Sequence, residues 1–292
     1  MGDMDPSQGR SRGLWPDAAH RLRHDRPALA AGAVLLLLLV LAFAGPAFIP
    51  HSYETLDWQH LASPPFDTSS HLLGTDRLGR DLLVRTLQGV RISLLIGVAA
   101  TVISLAIGVT WGTTAGYLGG RTDELMMRFV DILYSLPYLF IVIILTTLFP
   151  RGSLPVLFVS IGAVGWLTTA RIVRAQTQSL RKREFIEAAQ AIGMGTPAIV
   201  MRHVIPNLMS AVAVYATLTL PQMMLFESFL SFLGLGVQEP LASLGSLIND
   251  GAQEMQSAPW MLLIPAGTLG LLLLCFSVVG DALRDALDPR DG

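Results

Sequence analysis

Hydrophobic positions in this chain gather into six stretches that contain no Asp, Glu, Lys or Arg: 27–53, 92–120, 132–150, 152–170, 203–226 and 255–280. Their lengths are 27, 29, 19, 19, 24 and 26 residues. Each exceeds the ~18 residues that a helix rising ~1.5 Å per residue needs to cross a ~30 Å hydrocarbon core. In hydrocarbon only a helix or a closed barrel satisfies every backbone N–H and C=O internally, so stretches of this length predict helices. The pattern therefore predicts an all-α, polytopic membrane protein with six transmembrane helices. Its expected organisation is a tail over 1–27, a first span over 28–49, an outside loop over 50–91, a core of five spans over 92–281 and a second tail over 282–292. The first stretch is too long, and too soon followed by further spans, for a cleaved signal peptide.

The spans differ in character. The first is nearly pure Leu, Ala and Val, which places it at the periphery. In the second, Ala100, Ser104, Gly108, Gly112 and Gly116 recur every four residues, a ridge of small side chains that lets another backbone come close. Periodicity fits a partner within the chain and one in a second subunit equally. Pro137, Pro221 and Pro265 fall inside later stretches and predict bends.

The connecting segments carry patterns of their own. Leu78, Leu82, Leu83, Leu87 and Val90 recur at helical spacing behind Thr75 or Asp76 as a cap, with Arg77, Asp81, Arg85 and Gln88 opposite. This predicts an amphipathic helix that either lies in the membrane interface or presents Asp76, Arg80 and Asp81 to a pathway or gate. Over 171–207, Leu180, Phe185, Ile186, Ala189, Ile192 and Ile199 alternate with Arg171, Arg174, Arg181, Lys182, Arg183, Glu184 and Glu187. That reads as an amphipathic helix, a break at 193–197 and a second helix. Its apolar face either tucks against the membrane or meets a soluble partner.

Composition agrees with the pattern: 52% of residues are hydrophobic and 14% charged, against ~25% charged in an ordinary soluble protein. The net charge of −2 says little, but placement is informative. With both termini inside, the segments 1–27, 118–131, 171–202 and 281–292 hold 15 of the 20 Lys and Arg, as the positive-inside rule requires. Residues 15–26 then suit a short helix on the anionic inner leaflet.

Candidate chemistry is sparse. The single Cys275 excludes an intrachain disulfide and a cysteine metal site. The six histidines are scattered, and His20 and His24 lack a carboxylate-bearing motif around them, so no metal site is expected. The one lysine, Lys182, has no glycine loop before it, which excludes a P-loop; the glycines at 193 and 195 follow an amphipathic helix where a dinucleotide fold needs a buried strand. No carboxylate lies within the six stretches, which disfavours a membrane-embedded enzyme. An ion-coupled transporter is disfavoured because no inverted repeat is evident. The nearest intramembrane acid, Glu227, either lines a cavity or gate or pairs with an outside arginine.

Against this background one motif is distinctive. Glu187-Ala188-Ala189, three residues, Gly193 and, thirteen positions on, Pro206 resemble the EAA motif of the transmembrane subunits of ABC importers. His203 and Ile205 stand where that pattern has Ile and Leu. Leu73-Gly74-Thr75-Asp76 with Gly79-Arg80-Asp81, Gly116-Tyr117-Leu118-Gly119-Gly120, the run at 226–236 and the run at 280–289 look like the C-type permease subunits of bacterial oligopeptide importers. Dipeptide and nickel permeases share several of these.

The resemblance implies a type I ABC importer permease fold in the bacterial cytoplasmic membrane. It further implies import of oligopeptides by alternating access, with a second homologous permease, two ATPase subunits that bind ATP and Mg, and an extracytoplasmic peptide-binding protein as partners. The chain itself would carry no catalysis, cofactor or nucleic acid. Glu184, Glu187, Ala188, Ala189, Gly193, Met194, Gly195 and Thr196 would form the coupling helix and turn that sit in an ATPase groove.

Overall fold

The computed structural model describes residues 21–50, 52–67, 70–149 and 153–287, where helices dominate and a single bridge joins Thr75 to Asp81. Most of the two predicted tails, 1–20 and 288–292, lies outside the described residues. In chain order the helices are α1 Arg26–Ala44, α2 Leu82–Leu118, α3 Gly120–Ser135, α4 Tyr138–Leu148, α5 Leu154–Arg181, α6 Glu184–Ala191, α7 Thr196–Ile199, α8 Ile205–Phe232, α9 Leu244–Gln253 and α10 Trp260–Leu287. A π-helical segment, Val200–Val204, fuses α7 and α8 into one run of 37 residues.

Five runs are long and apolar enough to cross a membrane: α1 with its 3₁₀ extension, α2, α5, α7–α8 and α10. The third charge-free stretch departs from the expected straight span. There α3 and α4 meet at 83°, so the sixth crossing exists only as a bent pair. The cause is local. Pro137 has no N–H to donate and its ring disfavours a helical residue before it, so Leu136 turns extended at ψ 139°.

Helix α1 is peripheral as the sequence predicts: Ala28 and Ala42 are its buried residues, while Leu36, Leu37 and Phe43 face outward. Asp25 caps its start by accepting the Ala28 N–H at 3.1 Å. At its other end the Arg91 guanidinium of α2 donates to the carbonyls of Ala42 and Phe43, groups that a helix terminus leaves unpaired.

Helix α2 is the central strut, and the question left open by its ridge is answered within the chain. The ridge packs on α5. A Cβ at Gly108 would lie 2.5 Å from Thr169 Cβ, one at Gly112 2.4 Å from the Ala170 carbonyl oxygen, and one at Gly116 2.7 Å from the Arg174 carbonyl oxygen. Nothing larger than hydrogen fits at these three positions, and the close backbone approach supplies the dispersion contact that holds helices together where lipid is as apolar as the side chains. Helix α8 packs on another flank of α2, and α10 covers α8, α9 and α1.

The amphipathic helix expected before the second span is not a separate element. Residues 73–81 form turns, and Asp81, rather than Thr75 or Asp76, caps α2 by accepting the Val84 N–H at 2.9 Å. The helix then runs unbroken to Leu118 with Leu82, Arg85 and Val90 all buried, so both of its faces are covered. An interfacial helix needs water on its polar face; here that face finds its carboxylates inside the fold.

Candidate functional site

At one end of the bundle α5 stops at Arg181, and the chain turns through Lys182 and an extended Arg183 into α6. Glu184 and Glu187 occupy the first turn of α6, where negative charge complements the helix dipole. The end of α6 is sharply defined. Gly193 adopts φ +81°, its N–H reaches the Gln190 carbonyl at 2.9 Å, and the Met194 N–H reaches that of Ala189 at 3.1 Å. This pair of bonds satisfies the last carbonyls in a left-handed cap that favours glycine. Pro197 then opens α7.

The loop has two apolar faces with different fates. Ile186, Ala189 and Ile199 are buried against Tyr117, Val173 and Leu208, and the Gln190 side chain donates to the Tyr117 hydroxyl at 3.2 Å. Phe185 and Ile192 point away, 41% and 79% exposed. Around them Glu184, Glu187, Ala188, Gly193, Gly195 and Thr196 are exposed and Met194 is half-buried. Neither Glu184 nor Glu187 makes an ion pair or side-chain hydrogen bond among the described residues. The chain thus fixes the loop from behind and leaves an apolar and acidic face in front.

At the opposite end Asp76 organises a buried charge cluster. Its Oδ1 accepts the backbone N–H groups of Leu78 at 2.8 Å and Arg80 at 2.9 Å. Its Oδ2 accepts from Arg80 Nε at 2.7 Å and from Arg85 Nη1. Arg80 also donates to Glu239 at 2.9 Å, and Asp250 lies 3.8 Å from Arg85. Burial alone would raise the Asp76 carboxyl, but the Arg85 charge, the Arg80 N–H and the Arg80 guanidinium outweigh it and hold the group below the usual carboxylate range. Asp81 caps α2 and bonds His71 Nδ1 at 2.9 Å.

Glu227 is fully buried and has no arginine partner among the described residues; serine hydroxyls hold it instead. Its carboxylate accepts from the hydroxyls of Ser93 and Ser231, each at 2.7 Å, and of Ser228 at 3.3 Å. Ser93 in turn accepts the Leu244 N–H at 3.1 Å, so one acid ties α2, α8 and the start of α9. Asp76, Arg80, Asp81 and Glu227 therefore all sit in packed interior.

A cavity of about 460 Å³ lies elsewhere, between the α3–α4 bend, α5 and α8. Tyr134, Thr168, Tyr215, Thr219 and Gln222 bring polar groups to its wall, beside Phe226. None of the four charged residues above lines it. Positions 215, 219 and 222 form a polar stripe on one face of an otherwise charge-free span, a signal that a search for charges passes over.

Residues 108–290 match the family described as "Binding-protein-dependent transport system inner membrane component". The chain belongs to this permease family. Residues 13–65 of the permease match the "N-terminal TM domain of oligopeptide transport permease C", which places it in the C-type branch. It is 51% identical to the oligopeptide transport system permease protein OppC of Escherichia coli K12, over 96% of this chain and 92% of that one. It is 49% identical to OppC of Haemophilus influenzae, over 99% and 92%, and 42% identical to OppC of Bacillus subtilis, over 99% and 94%. Among solved structures the permease resembles the inward-facing MetNI methionine ABC transporter with a TM-score of 0.53, covering 70% of this chain and 96% of that chain. At 17% identity this likeness establishes the importer permease fold. The permease is a multi-pass protein of the bacterial inner membrane.

Proposed function

We propose that the permease is one of two homologous transmembrane subunits of an ATP-driven importer that carries oligopeptides into the cytoplasm by alternating access. A peptide is zwitterionic and rich in amides, and each unsatisfied group in hydrocarbon costs several kcal/mol, so it must cross through a polar route. The cavity beside the α3–α4 bend supplies this chain's share of that route. The second permease completes it, and an extracytoplasmic binding protein delivers peptide at the end that carries residues 52–81. Both termini lie in the cytoplasm, since the basic residues cluster on that side.

The single observation that carries this reading is the two-faced loop of α6 and α7. Ile186, Ala189 and Ile199 pin it to the body of the chain, while Phe185, Ile192, Glu184 and Glu187 remain presented outward. A helix held rigidly from behind transmits a push from a partner seated on its front. The partner is an ATPase subunit that binds ATP and Mg, Glu187 finds there the partner it lacks among the described residues, and Gly193 and Gly195 shape the turn. ATP acts on the pathway only by binding its two orientations with different affinity, and this loop is where that difference reaches the permease.

The test is Gly193→Leu in the reconstituted importer. A Cβ there has nothing within 4 Å, so the change acts first through the backbone. A left-handed conformation costs an ordinary residue ~1–2 kcal/mol, about a 5- to 30-fold shift in the population of this turn. Peptide uptake per ATP hydrolysed is expected to fall while membrane insertion persists. Uptake at the wild-type ratio would overturn the coupling role.

A further inference from the structure

The outer-loop residues 52–67 and 70–81 bring together three metal-ligating side chains that sequence spacing gives no reason to group. Asp57 Oδ2 lies 2.9 Å from His60 Nδ1 and 3.4 Å from His71 Nε2, and all three atoms fall within 4.8 Å of one another. Four ligands at ~2.0 Å around a tetrahedral zinc stand about 3.3 Å apart. We propose that Asp57, His60 and His71 form a Zn²⁺ site with one open coordination position, which clamps this loop onto the start of α2.

The surroundings orient each ligand as a metal site requires. The second oxygen of Asp57 accepts the Gln59 N–H at 2.9 Å, which leaves Oδ2 to face the imidazoles. His71 is 1% exposed, and its Nδ1 is bonded to Asp81 Oδ2, so the carboxylate fixes the tautomer that presents Nε2. Such carboxylate–histidine pairs stand behind most zinc-ligating histidines. The other oxygen of Asp81 caps α2. A metal held by His71 is thereby joined, through one side chain, to the first turn of the central helix.

The loop also holds its shape by its own bonds. Asp57 and His60 close a turn at 3.2 Å, the Asp57 N–H reaches the Gly79 carbonyl at 3.3 Å, and a Cβ at Gly79 would fall 2.0 Å from the Asp57 carbonyl oxygen. The ligands are therefore placed before any ion arrives. Side chains of Asp57 and His60 are about one-third exposed, so an ion can enter and the fourth position can hold water. Two imidazoles with one carboxylate and no thiolate suit Zn²⁺ or Co²⁺ over Mg²⁺ and Ca²⁺.

The competing account is that the two histidines merely share a carboxylate through hydrogen bonds. Full-length permease in nanodiscs, with any purification tag removed and metals stripped, distinguishes the two. Titration with Co²⁺ is expected to give one ion per chain with the visible absorption of a low-coordinate site, displaced by Zn²⁺. Asp81→Asn is expected to weaken Zn²⁺ binding by ~10–100-fold, the usual effect of losing an outer partner, and His60→Ala and Asp57→Asn by more. His60→Ala removes a ring that is only partly buried, which keeps the test valid even if a change at the buried His71 prevents folding. Absence of the Co²⁺ absorption, or equal Zn²⁺ affinity in the wild type, His60→Ala and Asp57→Asn, would overturn the site and leave hydrogen-bonded pairs.

Discussion

The Asp76 cluster makes a quantitative demand. Two carboxylates serve the same guanidinium pair, but Asp76 is buried with Arg85, which is 2% exposed, whereas the Glu239 side chain is 55% exposed. Asp76→Asn removes a charge that two arginines share and leaves them facing an amide. Breaking a buried pair by removing one partner costs ~3–5 kcal/mol. Asp250, 3.8 Å from Arg85, offsets part of this and favours about 3 kcal/mol. Glu239→Gln breaks only an exposed contact, worth below ~1 kcal/mol. At about 2–4 °C per kcal/mol for a chain of this order, Asp76→Asn should lower Tm by about 6–12 °C and Glu239→Gln by at most about 4 °C. Thermal unfolding of both purified variants in one detergent, followed by tryptophan fluorescence, reads the difference. The pH dependence supplies a second reading. Because the folded state holds the Asp76 carboxyl low, its contribution is complete above the ordinary value near ~3.9 and is lost as pH falls through the lower folded value. Asp76→Asn should flatten that acid limb. Equal Tm for the two variants, or an unchanged acid limb, would refute the reasoning.

Other perturbations follow from the same geometry. Gly112→Ala puts a Cβ 2.4 Å from the Ala170 carbonyl, about 1 Å inside ordinary contact at 3.4 Å, so α2 and α5 must part at a cost of ~1–3 kcal/mol. Gly267→Ala, where nothing lies within 4 Å, should instead gain ~0.5–1 kcal/mol, and equal Tm shifts would contradict the packing account. Glu227→Gln keeps an acceptor for one of Ser93 and Ser231 and offers the other hydroxyl an N–H to accept, whereas Glu227→Ala leaves both buried hydroxyls without that partner at about 1–3 kcal/mol. The alanine variant should therefore lose yield and Tm relative to the glutamine variant, and identical behaviour would deny the serine cage its structural role.

What was legible in the sequence follows from which physics is local. Charge-free length is a local property, so five crossings could be read directly. The third could not, because Pro137 breaks the helix without interrupting the hydrophobic run. A small-residue ridge states which face of α2 is approached but not by what, and only the fold shows Thr169, Ala170 and Arg174 against it. The outer charges were misread for a related reason. Pattern reasoning sends Arg85 to water, whereas its carboxylates, Asp76 and Asp250, come from a turn and a distant helix. The inner loop was readable, with its break at Gly193, because caps and turns are written within a few residues. The cavity wall was not, since its residues are neutral and drawn from four helices.

The central claim is that the α6–α7 loop docks an ATPase subunit, and affinity purification of the tagged permease in mild detergent tests it most directly. Mass spectrometry of the retained proteins should find a second permease and P-loop ATPases with the wild type. With Glu187→Arg the second permease should remain and the ATPases should be lost. Recovery of the wild-type chain alone, under conditions that preserve other membrane complexes, or equal retention of the ATPases by Glu187→Arg, would contradict the account.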